Sequence, residues 1–381
     1  MENLYKVVKI EGKGFTSIAV QDIEIGTLIL REKFQCVPSL SSSRATIIES
    51  FLAMSKKNQE EFLKLWNKFS HSDSLGEELK YDYLDWKRSA QRYSAQFKID
   101  SNFILNIFCI YHTNAFSDGS LAIETSKFNH SCSPNADFHR KSCTTNEEVE
   151  IRTTTIVKKG DEISINWYDE HPEISMNNVK DRQLFLLRNW GFICSCELCQ
   201  EEEEETTNQN DEVYEAFQIL KEETGKLKEM LANCKTNDEK LENILKVISC
   251  YNRMYELASN KKTSKLFVSD IINRSFLVGK GGYILAKMNS NSAKMERFNK
   301  ECIKLANVGF QIAKMCYGND SEVVTTWQER YQEQQNIFYT DCSPSPQADV
   351  NCESESESAH SLKITWHDLY KKILRRKNIK K

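Results

Sequence analysis

Near the start of the chain apolar positions come in short runs, and further on their period changes. Val7-Val8-Lys9-Ile10, Ile18-Ala19-Val20 and Leu28-Ile29-Leu30 read as strands, divided by turns at Gly12-Lys13-Gly14 and Glu24-Ile25-Gly26. From Ala45 to about Ile110 the spacing becomes three and four residues, as in Phe62, Leu63, Leu65 and Trp66 or Phe103, Ile104, Ile107 and Phe108. That spacing predicts helices inserted between strands. Strand-like segments return at Leu121-Ala122-Ile123, Val149-Glu150-Ile151 and Ile163-Ser164-Ile165. A glutamate run, Glu201 to Glu205, and the polar residues after it read as an acidic linker over 201–212. Helical periodicity then holds over 213–340, as in Val213, Phe217 and Leu220, which predicts a set of packed helices or stacked helical hairpins. Residues 341–360 are rich in Ser, Glu and Pro and read as a disordered linker. A basic amphipathic tail closes the chain over 361–381, with Leu362, Trp366, Leu369 and Ile373 on one helical face. It predicts a docking or nuclear-targeting helix.

Composition narrows the class. A chain of 381 residues makes two or three compact units, and 28% charged with 40% hydrophobic residues is ordinary for a soluble protein. A net charge of −4 gives no general basis for direct nucleic-acid binding. No apolar run approaches the ~20 residues of a membrane span. Thirteen cysteines without a signal peptide point to reduced thiols and metal ligands, and so to the cytoplasm or nucleus.

Two of these cysteine-bearing stretches carry candidate chemistry. Cys194-Ser195-Cys196-Glu197-Leu198-Cys199 places three thiols within six residues, a donor set suited to Zn²⁺. Tetrahedral zinc needs a fourth ligand from a distant loop, and Cys132, within the polar run FNHSCSPNADFHR, is the best-placed candidate. His130 and Cys132 do not read as a base and nucleophile, because residues two apart rarely face each other and no oxyanion motif accompanies them. Gly12-Lys13-Gly14 falls short of a dinucleotide fingerprint, with Ser17 where the third glycine belongs. Gly279-Lys280-Gly281-Gly282 falls short of a phosphate loop. Both read as plain turns.

Taken together the motifs resemble those of the SET domain. Gly12-Lys13-Gly14-Phe15 with IAVQDIEIGTLILRE is similar to its opening strands. Phe128-Asn129-His130-Ser131-Cys132-Ser133-Pro134-Asn135 resembles its signature turn, and Gly160-Asp161-Glu162-Ile163-Ser164-Ile165 its Gly-Glu-Glu strand. Arg188 to Cys199 resembles the zinc-binding segment that follows the domain. Asn114-Ala115-Phe116 and the helical C-terminal half point to the SET-and-MYND branch of protein-lysine methyltransferases. The MYND zinc finger is missing from its usual place, where only Cys36 and a serine run, Ser39 to Ser43, occur.

The resemblance implies an α+β, SET-type β-clip fold over residues 1–200, with a helical insertion at about 45–110 and a post-SET zinc segment at 190–200. A TPR-like all-α region would follow and offer a surface to a protein partner. S-adenosylmethionine would meet Lys13, Gly14, Asn129, His130 and Phe192. Zinc would be held by Cys132, Cys194, Cys196 and Cys199. Phe116 and Trp190 match walls of the channel for the substrate lysine, carried on a protein substrate. The family's tyrosine falls seven positions after the glycine, which is Trp167 here, with Tyr168 one place late. Strand alternation would then turn Tyr168 away, and a β-bulge near Asn166 would restore its hydroxyl to the cofactor as the catalytic group. Two other readings stand beside the enzyme: a SET-fold scaffold without turnover, and a zinc-stabilised interaction module.

Overall fold

The computed structural model describes residues 3–10, 13–35, 44–69, 77–116, 119–141, 148–168, 171–204, 209–261, 263–319 and 321–341. Residues 36–43, where a MYND finger would sit, and the 341–360 and 361–381 segments, apart from residue 341, lie outside them. The described chain forms two compact units. The first gathers residues 1–214 with two returns, 258–268 and 312–321, from the stretch that periodicity alone assigns to a separate helical region.

The first unit is built on three small sheets. Strands β1 (Tyr5–Ile10) and β2 (Gly14–Ala19) form an antiparallel hairpin whose turn ends at Gly14, with φ +77°. A left-handed backbone there suits glycine and no other residue comfortably. Strand β3 (Leu28–Lys33) pairs antiparallel with β6 (Glu148–Thr153), which pairs in turn with β5 (Ala136–Lys141). The third sheet is a two-residue parallel pair, β4 (Asn129–His130) with β7 (Ser164–Ile165). Ala19, Ile23, Phe128, Ile151, Val157, Ile163 and Ile165 make the core beneath these sheets.

Between β3 and β4 lies the helical insertion: α1 (Arg44–Ala53), α2 (Lys56–Leu63), α3 (Glu77–Phe97) and α4 (Ser101–Asn114). Asp100 starts α4 by accepting from the backbone N–H groups of Asn102 and Phe103 at 2.9 and 3.0 Å. The insertion has its own core, with Ile48, Phe62, Ile104, Ile107 and Phe108 fully buried. Leu121 to Ile123 departs from the expected strand. Its apolar side chains are buried, but the chain turns there into a short 3₁₀ helix, Thr125–Lys127. Glu32 forces that turn, its carboxylate accepting from the N–H groups of Glu124 and Thr125 at 3.0 and 2.9 Å.

After β7 come α5 (Val179–Trp190), capped by Gly191 in the left-handed region, and α6 (Glu197–Glu204). The glutamate run is therefore helical through Glu204 rather than a linker from residue 201. Glu202 is buried and ion-paired with Arg182 Nη1 at 2.8 Å and Lys261 Nζ at 3.3 Å. Both partners lie far away in sequence, so nothing in the run itself signals that one of its carboxylates is internal.

The second unit comprises residues 215–257, 269–311 and 322–341, taken from α7 (Gln209–Asn233), α8 (Asn237–Asn260), α9 (Lys265–Met288), α10 (Ser292–Tyr317) and α11 (Glu322–Asp341). Here Gly279 to Gly282 is not a turn. It lies inside α9, where the missing side chains admit α10: a Cβ on Gly282 would fall 2.5 Å from the ring of Phe298. Gly→Ala ordinarily favours an exposed helix by ~1 kcal/mol. Gly282→Ala is expected to do the reverse and destabilise by about 1–3 kcal/mol, because Phe298 is fully buried and cannot retreat. Urea unfolding of the variant checks this, and an unchanged midpoint would contradict the packing.

Asp137 on β5 generates a second prediction. Its buried carboxylate accepts from Ser264 Oγ at 2.9 Å and Leu266 N at 3.2 Å, holding residues 264–266 at the start of α9 against the sheet. Burial pushes its pKa up to about 6. Between about pH 4 and about pH 6 the folded state thus keeps a proton that the unfolded chain has lost, so this group's contribution to stability falls as pH rises, by up to ~3 kcal/mol. Asp137→Asn is expected to remove that component of the slope, measured as the difference in unfolding midpoints between variant and parent at about pH 4 and about pH 6.5.

Candidate functional site

Asn129 and His130 make only two ladder positions each way, so side chains do most of the fastening around them. Asn129 Nδ2 donates to Glu162 Oε1 at 2.7 Å and to Thr16 Oγ1 at 3.0 Å. Lys13 Nζ is ion-paired with the other oxygen of Glu162. Glu162, just ahead of β7, thus joins the β1–β2 turn to the signature turn, although its motif alone assigns it no such role. Asn135 works similarly: its amide donates to the Glu162 carbonyl at 2.8 Å and its Oδ1 accepts from Ser164 N at 2.9 Å. The Asn129–Asn135 turn is therefore threaded against residues 160–165.

His130 points inward. Its Nδ1 accepts from the backbone N–H of Trp167 at 3.0 Å, which leaves the ring proton on Nε2, 3.3 Å from Cys132 Sγ. Burial holds its pKa down to about 3, so the imidazole is neutral and its N–H is free to donate to sulfur. Its side chain is thus a support for Cys132, with its backbone committed to β7.

Cys132, Cys194, Cys196 and Cys199 present sulfur atoms that all lie within 4.8 Å of one another, three of them on buried residues. The Cys132–Cys199 separation is 3.6 Å. Four sulfurs about 2.3 Å from a tetrahedral Zn²⁺ would stand about 3.8 Å apart, so the donor set and its size fit that ion. Mutual hydrogen bonding with Cys132 pushes the Cys194 thiol up and the Cys196 thiol down, as crowded sulfurs that cannot all ionise without a cation must behave. Arg182 Nη2 lies 3.5 Å from Cys199 Sγ and adds a buried positive charge beside the cluster.

Beside this cluster is a cavity of about 300 Å³ whose lining includes Phe116, Trp167, Tyr168, Phe185, Trp190 and Lys68. Trp167 and Trp190 have ring centroids 5.8 Å apart, and Phe192 approaches Trp167 at 5.5 Å and His130 at 6.3 Å. The structure thus brings Phe116, Trp167, Trp190 and Phe192 together with Asn129 and His130, whereas Lys13 and Gly14 stand on the β1–β2 turn, joined to them through Glu162 and Trp66. Trp66 escaped the motif reading; it packs over Gly14 and donates its indole N–H to the Trp190 carbonyl at 3.1 Å. Its place in a helical stripe is the only signal it carries.

Tyr168 departs from expectation. The β4–β7 pairing has no register shift, and the strand ends at Ile165, before any bulge at Asn166. Asn166 Oδ1 instead takes the N–H of Tyr168 at 2.7 Å, turning the chain. The Tyr168 ring is buried and its hydroxyl lies 3.3 Å from Cys132 Sγ. Trp167 does face the cavity, with its indole N–H already donated to the Phe128 carbonyl at 3.1 Å.

The cluster predicts one zinc ion per chain by elemental analysis. Cys196→Ser is expected to lose it and to loosen residues 190–199 at the same time, since that segment carries three of the four cysteines. Purified protein without zinc would contradict this.

Known proteins place the chain. A family model described as SET domain matches residues 14–168. A SET domain-containing protein of Acanthamoeba polyphaga mimivirus is 30% identical over 258 residues, 63% of this chain and 96% of that protein. The histone-lysine N-methyltransferase set5 of Schizosaccharomyces pombe is 28% identical over 202 residues, 52% of this chain and 51% of its own length. A SET domain-containing protein of Dictyostelium discoideum is 37% identical over 90 residues, covering 24% of this chain and 20% of that protein. The chain therefore spans nearly all of the viral relative and about half of the fission-yeast one. With its signature turn and partner strand inside the matched residues 14–168 and nearly all of the viral relative covered, this chain belongs to the SET domain family.

Proposed function

We propose that the chain is an S-adenosylmethionine-dependent methyltransferase acting on lysine side chains of proteins. The observation that carries this reading is the convergence of the Asn129–His130 turn, residues 160–165 and the cysteine segment around an aromatic cavity. S-adenosylmethionine, when bound, supplies a methyl group on a positively charged sulfur. The residues present fit it: a cation at Lys13, an amide at Asn129 and a carboxylate at Glu162 suit its amino-acid end, and Phe192 offers a flat apolar face. Gly14 permits close backbone approach.

The acceptor lysine must be neutral to attack, against an ordinary pKa of ~10.4. Phe116, Trp167 and Trp190 exclude water from the cavity, and burial there favours the neutral amine. Alignment of the amine is then the main contribution of the walls. The indole N–H of Trp167 and the hydroxyl of Tyr168 are both committed elsewhere, so neither is assigned a proton transfer. Tyr168 and His130 act as supports of Cys132, and Trp167 as a wall.

Membership of the SET-and-MYND branch belongs to this proposal, as does a protein-partner surface on the helical C-terminal region. Reduced thiols suit a cytoplasmic or nuclear place of work. Among the described residues no helix is long and apolar enough to cross a membrane. The name of the fission-yeast relative makes histones the first substrates to try, with other proteins beside them.

A second reading, a scaffold that binds S-adenosylmethionine without transferring its methyl group, is favoured by one observation: Tyr168 lines the cavity, but its hydroxyl is engaged by Cys132. Incubating the zinc-loaded protein with methyl-labelled cofactor and histones or a cell extract decides between them. Label in protein supports the enzyme; cofactor binding without label supports the scaffold. Given activity, Tyr168→Phe is expected to retain most methyl transfer while losing zinc to a chelator roughly 10-fold faster. Trp167→Ala is expected to cut transfer by about 10-fold or more through loss of the wall. A loss of ~10²-fold or more in Tyr168→Phe with zinc retention unchanged would return the phenol to the catalytic role.

A further inference from the structure

Between α2 and α3 the chain carries Trp66 and Lys68, neither of them in a recognised motif. Asn114 Nδ2 donates to the Trp66 carbonyl at 2.7 Å, and Thr113 Oγ1 accepts from Lys68 N at 3.3 Å, so this connector is fixed to the end of α4. On its other side it is fixed to the end of α5. Trp66 donates to the Trp190 carbonyl, and Lys68 Nζ to the Asn189 carbonyl. The lysine stem packs so closely on Gly191 that a Cβ there would lie 2.9 Å from Lys68 Cβ. These contacts bring Lys68 into the lining of the same cavity as Phe116, Trp167 and Trp190.

The other lysines near the cofactor residues are differently placed. Lys13 is held by Glu162, and Lys127 by Glu61 and Glu124. Lys68 instead ends on a neutral carbonyl, in aromatic surroundings. Burial brings its pKa down to about 8, against the opposing charge of Asp82. At about pH 7.5 such an amine is roughly one quarter neutral, whereas an ordinary lysine is neutral about once in a thousand. A methyl acceptor must be an amine that can shed its proton and stand in the cavity, and Lys68, half-buried in the cavity lining, is such a residue of the chain itself.

We propose that Lys68 is an intramolecular methyl acceptor, modified by this protein in its own substrate cavity. The inference rests on the methyltransferase reading. The ammonium first loses a proton to solvent. The amine's lone pair then forms the N–CH₃ bond as the S–CH₃ bond of S-adenosylmethionine breaks, and that bond's electron pair stays on sulfur, leaving a neutral thioether. The product is N-methyl-lysine at position 68, which keeps its ability to carry a positive charge.

The test uses the full, zinc-loaded chain with S-adenosylmethionine as the sole added substrate, alongside the same protein with histones and a cell extract. Intact mass should rise by about 14 Da per methyl group, either on isolation or during incubation, and peptide mapping should place the group on Lys68. The rate per molecule should be unchanged by tenfold dilution. Lys68→Arg should lose the mass increase while its zinc content and helical circular dichroism stay unchanged. Methylation of added proteins with Lys68 unmodified overturns this inference and leaves the methyltransferase reading standing. Methyl groups mapped solely to other residues, or a rate per molecule that falls in proportion to dilution, also overturn it. No transfer to any protein overturns both.

Discussion

Four cysteine sulfurs within 4.8 Å of one another cannot be buried and ionised together unless a cation sits among them. Much of the first unit is arranged around that constraint. Cys132 brings the signature turn, while α6 and the segment between α5 and α6 bring the other three. His130 donates to Cys132, Tyr168 closes over it, and Arg182 stands beside Cys199. Arg182 is held in turn by Glu202, which also holds Lys261. One carboxylate between two buried cations leaves a net positive charge facing the thiolates, the sign that a tetrathiolate centre needs. Tyr168 is a point of contact with the cavity, since it lines that cavity and its hydroxyl meets Cys132, while His130 fixes the backbone of Trp167.

The aromatic cavity draws its walls from separate stretches of chain. Phe116 follows the helical insertion, Trp167 follows β7, and Trp190 ends α5. Trp66 and Lys68 tie the insertion to the end of α5, so the insertion is part of the site rather than an ornament on it. Both donors land on carbonyls of the last turn of α5, which have no N–H further along the helix to pair with.

How much of this was legible beforehand depends on how local each interaction is. The cysteine spacing, the signature turn and the helical stripes of the insertion are local patterns, and their elements form where the pattern puts them. A glycine cluster suits a turn, and what accounts for Gly279 to Gly282 within a helix is the close approach of Phe298 and Cys302 on α10. The glutamate run has the composition of a linker, and Arg182 and Lys261, which pair with the buried Glu202, come from other elements. Strand alternation does not reach Tyr168, because the strand stops at Ile165 and Asn166 then redirects the backbone. Glu162, Trp66 and Lys68 had no local signal, because their meaning comes entirely from partners brought in by the fold.

The parallel pairing of β4 with β7 has a further consequence, for the order in which the chain folds. Parallel neighbours cannot be joined by a tight turn, and here β5 and β6 lie between them. The pair gains only two ladder positions, which cannot offset the loop-closure entropy on their own. The β5–β6 hairpin and its pairing with β3 must therefore form first and carry the two short strands together. Cys132 meets Cys199 only after that threading is complete. Capture of a metal by the four cysteines would then be a late lock on a non-local topology, and until such capture the thiols would remain open to oxidation.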